Sequence, residues 1–419
     1  MIEIQTQSNF DATISAPPSK AHTLRALFIA ALADGRSTLK NALNAEDQQL
    51  SAAALREFGA EINFDGKNFS VRGTGGKFFA PKKEIYLGNS GAGIRFLMSL
   101  AGLAEGKTVI NGSERMKQRP STELISALQK LGVKIKQQNP KSYFPVEVTG
   151  KSFVGGPTSI EGSKSSQYIS SILLSAPYAE KDVELKVIGA IKSRPYIDIT
   201  LGCMDDFEVK VKNENYKGFY VKAGQKYMPK NYLIEGDYSN AAYFFAAAAV
   251  TGGKVKVTNL NKNSTQGDKK FTDVLKKMGC KVTPGGDYVV VEGPGKLKGI
   301  SIDMEDMPDL VPTLAAVAAF AKGKTTIKNV GHLRIKESDR IKAVVAELKK
   351  LGVKALETKD GMVISGNAKN GAEIETYNDH RIAMAFSVIG LRQEGVKIKN
   401  PECVSKSFPD FYEKLGELE

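Results

Sequence analysis

At 419 residues, with 42% hydrophobic and 25% charged side chains, the chain has the composition of an ordinary globular protein and the length for two or three domains, each with a full core. Charge interrupts every apolar run before it reaches membrane-spanning length, and Met1-Ile2-Glu3-Ile4 lacks the basic-then-apolar layout of a signal peptide, so a cytoplasmic protein without a membrane segment is expected. The net charge of +13 is spread over scattered lysines and arginines with no basic tract interleaved with aromatics, which disfavours nucleic acid and suits a small, multiply anionic substrate.

Pro17-Pro18 reads as an extended lead-in, Ser19 as a helix cap, and the run to Ala33 as a helix stopped by Gly35. After its first turns this helix is apolar almost all round, which places it inside a domain and leaves Ser19, Lys20 and Arg25 at its start to meet solvent or ligand. That end is a ready anion site. A strand at 37–41 follows, then an amphipathic helix ending at Phe58-Gly59, then further strand from Ala60.

The same unit returns along the chain: apolar helix, glycine, strand ending in Asn, amphipathic helix ending in an apolar residue plus Gly, and more strand. The apolar helices of the later copies are expected at 91–104, 166–179, 239–250 and 309–321, and from Asp379 onward. The third copy is less regular, and the copies recur about every 72 residues. The sixth stops soon after Leu415-Gly416, without closing strands. The unassigned strand material at 2–5 and 12–15 is therefore expected to complete it. Six units divide into two lobes of three, 20–234 and the discontinuous pair 1–19 with 235–419. The crossings near Ser19 and Glu235 would make a hinge that closes over a ligand.

Cys203, Cys280 and Cys403 lie far apart with no CxxC spacing, and three histidines accompany them, so neither a disulfide framework nor a zinc site is supported. The expected starts of the apolar helices carry Ser19-Lys20, Asn89-Ser90-Gly91, Ser165-Ser166-Gln167, Asp237-Tyr238-Ser239, Asp309 and Asn378-Asp379-His380-Arg381. Each alone reads as a cap. Yet Lys20, Arg25, Arg119, Lys336, Arg340, Arg381 and Lys406 gather at or before helix starts, where the helix dipole disfavours cations. Bound phosphates or carboxylates would resolve that conflict. Asp309 and Glu337 stand among these cations, either as a cap and a solvated side chain or as a pair that moves protons. His22 reads as a surface residue, and His380 as either a structural or a functional one.

The layout also carries Pro18-Ser19-Lys20, Leu87-Gly88-Asn89-Ser90-Gly91, Arg115-Met116-Lys117-Gln118-Arg119-Pro120, Lys336-Glu337-Ser338-Asp339-Arg340, Asn378-Asp379-His380-Arg381 and Lys406-Ser407-Phe408-Pro409-Asp410. In this order and over nearly the whole chain, these motifs resemble the 5-enolpyruvylshikimate-3-phosphate synthase family. The resemblance implies an α/β fold, a two-lobed inside-out α/β barrel of six βαβαββ-like units, three per lobe. It implies transfer of the enolpyruvyl group of phosphoenolpyruvate to the 5-hydroxyl of shikimate 3-phosphate by a monomer, with no metal or organic cofactor. By position in the motifs, Lys20, Gly91, Arg119, Gln167, Arg340, Arg381 and Lys406 would hold phosphoenolpyruvate. Lys20, Arg25, Ser165, Ser166, Gln167, Ser193, Tyr196, Asp309 and Lys336 would hold shikimate 3-phosphate. Asp309, Glu337 and Lys20 would be catalytic, Asp309 as the base for the hydroxyl proton and Glu337 as the acid for the methylene carbon.

The related UDP-N-acetylglucosamine enolpyruvyl transferases carry a cysteine just ahead of the Arg-Pro pair, and the stretch from Gly112 to Gln118 has none. Three positions depart from the family's usual pattern: Ala21 where Ser or Thr is usual, Ala92 where Thr is usual, and His332 where many members place Asn. Two alternatives therefore stay open, an enolpyruvyl transferase for another phosphorylated cyclic acceptor and a non-catalytic binding protein on the same fold. The resemblance also implies that glyphosate competes with phosphoenolpyruvate, with Gly91 leaving room for it.

Overall fold

The computed structural model describes residues 1–418. The chain forms two compact units, Pro18–Ile234 and the discontinuous pair Met1–Pro17 with Glu235–Glu419.

Within Pro18–Ile234 the helices Lys20–Leu32, Gly91–Ala101 and Ser166–Ser175 are buried along nearly their whole length. Such helices have no solvated face, so they are stable only inside a layer of other elements. That layer is three four-stranded sheets, whose strands alternate buried and exposed residues. In the most regular sheet Gly156–Glu161 pairs parallel with Val183–Ile188, which pairs antiparallel with Gly218–Val221, and Val211–Asn213 closes the order. A parallel crossover through the buried helix followed by a hairpin is the repeat seen in the sequence.

The second unit repeats the plan around Tyr238–Thr251, Val311–Ala318 and His380–Gly390, with two four-stranded sheets and one of three strands. Among the described residues none of the six sheets closes on itself. Helices lie inside and open sheets outside, in each unit separately. Asp309, expected to begin a regular helix, lies in a 3-10 turn at Pro308–Leu310, and the α-helix begins only at Val311.

The beginning of the chain divides between two sheets. Ile2–Glu3 pairs antiparallel with Val396–Ile398 and so adds to the sixth sheet. The second segment does not complete that sheet as expected: Asp11–Ser15 runs parallel to Lys254–Thr258 in the fourth sheet. The reason lies in an exchange of strands. Asn231–Leu233, which leads into the fourth buried helix, is taken by Arg36–Lys40 of the first sheet, leaving Lys254–Thr258 to pair with the strand that leads into the first helix. The asparagines that end the repeated strands secure both pairings. Asn41 and Asn259 adopt φ of 52° and 60°, a left-handed turn Asn tolerates. Their amides donate to the carbonyls of Ile234 and Ala16, each at 2.9 Å.

Candidate functional site

In the unit Pro18–Ile234, Ser19 caps the first helix by accepting from the His22 amide at 3.4 Å, and its Oγ lies 3.0 Å from His22 Nδ1. His22, expected at the surface, is buried by this contact. Lys20 Nζ makes an ion pair of 2.6 Å with Asp47, whose side chain is buried, and Gln48 donates to the Lys20 carbonyl. Arg25 is enclosed: Nε donates to Thr200 at 2.7 Å, one NH donates to the Tyr196 carbonyl at 2.9 Å, and the guanidinium lies over the Phe96 ring. Burial lowers its pKa to about 10, with Cys203 and Tyr196 opposing the shift.

The Tyr196 amide donates to the Ser193 carbonyl, and Ser193 is buried at φ 61°. Thr200 also meets Ser170 of the helix that Ser165 caps. The fold therefore joins Arg25, Ser193, Tyr196 and the start of the Ser165-Ser166-Gln167 helix through short bonds.

A second group in this unit surrounds Arg119, which is 2% exposed and donates to both the carbonyl and the side-chain oxygen of Asn89, each at 3.0 Å. Its guanidinium lies against Gly91, where an added Cβ would come 2.6 Å from Nη2. Only the absence of a side chain lets the two approach. Arg95, outside the sequence expectations, ties this group together. It donates to the Gly91 carbonyl at 3.3 Å, to the Pro120 carbonyl at 2.9 Å and to the side chain of Gln167, and it stacks on Tyr168. The signal was present as an arginine within the apolar run of helix Gly91–Ala101, since a buried cation needs a set of acceptors.

In the other unit the centre is Arg340, 1% exposed at the start of helix Arg340–Lys350. It donates to Asp309 at 2.9 Å, to Glu337 at 2.9 Å and to Asp379 at 2.8 and 3.2 Å. Asp379 also accepts from Ser338 and caps the next helix through the Arg381 amide. Arg381 donates to Asp309 at 3.3 Å and to the Tyr243 hydroxyl at 3.2 Å. Burial would raise the Asp309 pKa, but Arg381, Arg340 and Lys336 together hold the carboxyl well below the usual carboxylate range.

Behind this group Asp268 accepts from Ser239 and is pushed up to about 7, by burial first and then by the charge of Asp309. Neither Asp268 nor Tyr243 was legible as part of a site. Lys406 is buried at the end of the 3-10 segment Pro401–Lys406, and His332 is buried in the turn Gly331–Ile335.

Many of the expected residues thus fall into compact groups inside each unit, while Lys406 is buried at the end of its 3-10 segment. In one group, acidic and basic side chains share a buried guanidinium, an arrangement suited to holding anions and moving protons. Among the described residues no group of three or more His, Cys, Asp or Glu is placed to hold a metal ion, and no helix is long and apolar enough to cross a membrane.

A family model described as EPSP synthase (3-phosphoshikimate 1-carboxyvinyltransferase) matches residues 4–415. The chain is 44% identical over 410 residues to the 3-phosphoshikimate 1-carboxyvinyltransferase of Trichormus variabilis, covering 97% of this chain and 96% of that one. It is 43% identical to the protein of the same name from Methanoculleus marisnigri, covering 99% and 98%. Among solved structures it is similar to an EPSP synthase from Acinetobacter baumannii at a TM-score of 0.82 and 29% identity, covering 99% and 97%. The enolpyruvyl transferase NikO from Streptomyces tendae, at 16% identity and a TM-score of 0.79 over 99% and 96%, shares the fold.

Proposed function

The chain belongs to the EPSP synthase (3-phosphoshikimate 1-carboxyvinyltransferase) family and transfers the enolpyruvyl group of phosphoenolpyruvate to the 5-hydroxyl of shikimate 3-phosphate, releasing phosphate, and we propose that Asp309, Glu337 and Lys20 carry that reaction. Glu337 delivers a proton to the methylene carbon of phosphoenolpyruvate, which makes the adjacent carbon electrophilic. The 5-hydroxyl oxygen adds there while Asp309 takes its proton. The tetrahedral intermediate then loses phosphate and a proton from the methyl group, restoring the double bond. Lys20 offsets the charge of both substrates and of the departing phosphate.

The observation that carries this assignment is that Arg340 holds Asp309 and Glu337 at once, each at 2.9 Å. With Arg340 and Arg381 both directed at Asp309, that carboxyl is ionised and a weak base. An anionic substrate on the same guanidiniums screens them, and the basicity of Asp309 rises when it is needed.

We further assign phosphoenolpyruvate to Lys20, Gly91, Arg119, Gln167, Arg340, Arg381 and Lys406. Shikimate 3-phosphate is assigned to Lys20, Arg25, Ser165, Ser166, Gln167, Ser193, Tyr196, Asp309 and Lys336. The joined bonds of Arg25, Tyr196 and Ser193 support the second set, and the packing of Arg119 on Gly91 supports the first. The enzyme is proposed to act as a cytoplasmic monomer, which light scattering of the purified chain tests.

Glu337→Ala tests the chemistry. Phosphate release from phosphoenolpyruvate should fall by about 100-fold or more while calorimetric binding of shikimate 3-phosphate persists. Retained turnover would remove Glu337 from the role of acid.

A further inference from the structure

Glu347 lies on helix Arg340–Lys350 with its side chain wholly buried. A buried carboxylate is a poor stabiliser and is held only where it is fully bonded. Three groups bond it: Lys350 Nζ at 2.6 Å, the Glu375 amide at 3.0 Å and the Tyr377 hydroxyl at 2.8 Å. Two of the three come from one short loop. That loop follows strand Ala372–Ile374 and contains two consecutive residues in the left-handed region, Tyr377 at φ 55° and Asn378 at φ 52°. For a residue as bulky as tyrosine this backbone is costly, and it persists only where the surroundings impose it.

What the turn achieves is visible in the next residues. Asp379 emerges from it to hold Arg340 and Ser338 and to cap the helix that carries Arg381. Arg340 and Glu347 lie two turns apart on their helix, so both face this loop. One grips Asp379 at its end and the other grips Glu375 and Tyr377 at its start. We infer that Glu347 is a positioning residue for the reaction: by clamping the 375–379 turn it fixes Asp379, and through Asp379 the two guanidiniums of Arg340 and Arg381. The inference rests on the assignment of those two arginines to phosphoenolpyruvate.

The test compares KM for the two substrates in the full chain. Tyr377→Phe removes one bond at a side chain that is 41% exposed, so it should fold normally. It should raise KM for phosphoenolpyruvate about 5-fold, the effect of one hydrogen bond, and move KM for shikimate 3-phosphate, which reaches this group only through Asp309, by less. Glu347→Ala should raise it further, and Glu347→Gln, which keeps one acceptor, should recover part of the loss. Arg381→Lys separates the two levels. If it raises KM for phosphoenolpyruvate while Tyr377→Phe and Glu347→Gln leave it unchanged, or shift both KM values equally, Glu347 is structural only and the inference fails. If Arg381→Lys itself has no effect, the assignment beneath it fails and the inference with it.

Discussion

Gly91→Ala places a methyl group 2.6 Å from Nη2, 2.9 Å from Cζ and 3.0 Å from Nη1 of Arg119. Ordinary contact begins near 3.4 Å, so the guanidinium must retreat by about 0.8 Å. It has little room, being 2% exposed and bonded to two oxygens of Asn89 at 3.0 Å. A shift of that size costs one charge-assisted hydrogen bond or its equivalent in substrate contact, about 2 kcal/mol, which is about 30-fold in affinity for phosphoenolpyruvate. Alanine is the better helix former by up to about 1 kcal/mol, which offsets part of the local crowding, so the melt should move by no more than a few degrees. The assay is a steady-state titration of each substrate beside a thermal melt. A raised KM for phosphoenolpyruvate with an unchanged KM for shikimate 3-phosphate and a Tm lowered by no more than a few degrees is the expected pattern. An unchanged KM for phosphoenolpyruvate would refute the claim that Arg119 binds it from its seat on Gly91.

Asp268, raised from 3.8 to about 7, favours folding most below pH 4, and that contribution is lost as pH rises through 7. Asp268→Asn should therefore gain stability over the parent from pH 5 to pH 8, by a few kcal/mol, as read by denaturant melts; a constant difference would remove Asp268 as the titrating group. Asp309 has the opposite sign: its contribution is present above the ordinary carboxylate range and is lost only in strong acid. Ser19→Ala removes the bonds to the His22 amide and ring and should cost about 1 kcal/mol in a urea melt. Glyphosate should inhibit phosphate release competitively with phosphoenolpyruvate, and a flat response well above the substrate concentration would overturn that expectation.

Much of the fold was legible because its repeat is written in strong signals. Helices apolar on every face, such as Tyr238–Thr251, can only be interior, and the asparagines that end the following strands mark left-handed turns at Asn41, Asn259, Asn329 and Asn400. The exchange of Asp11–Ser15 and Asn231–Leu233 was not legible. Each strand pattern is satisfied equally by either parallel partner, and only the three-dimensional path of the chain decides between them.

The candidate residues were legible as cations set against the helix dipole, and the structure shows how such cations are held by the protein: Arg340 by three carboxylates and Arg119 by the oxygens of Asn89. Missing from the sequence reading were Asp47, which pairs with Lys20; Tyr243, which accepts from Arg381; Arg95, which donates to Gln167; and Asp268, which accepts from Ser239. Asp47, Tyr243 and Asp268 sit in no pattern of their own, whereas Arg95 stands out within an apolar helix. Asp47 lies within the first turn of helix Glu46–Glu57, where an acidic residue is explained by the dipole alone, and only burial and the 2.6 Å contact with Lys20 separate it from any other acidic first-turn residue. The partner of a cation can be set by geometry across elements distant in sequence, as Asp47 is for Lys20. Local spacing therefore finds Lys20 and not Asp47, its counter-ion.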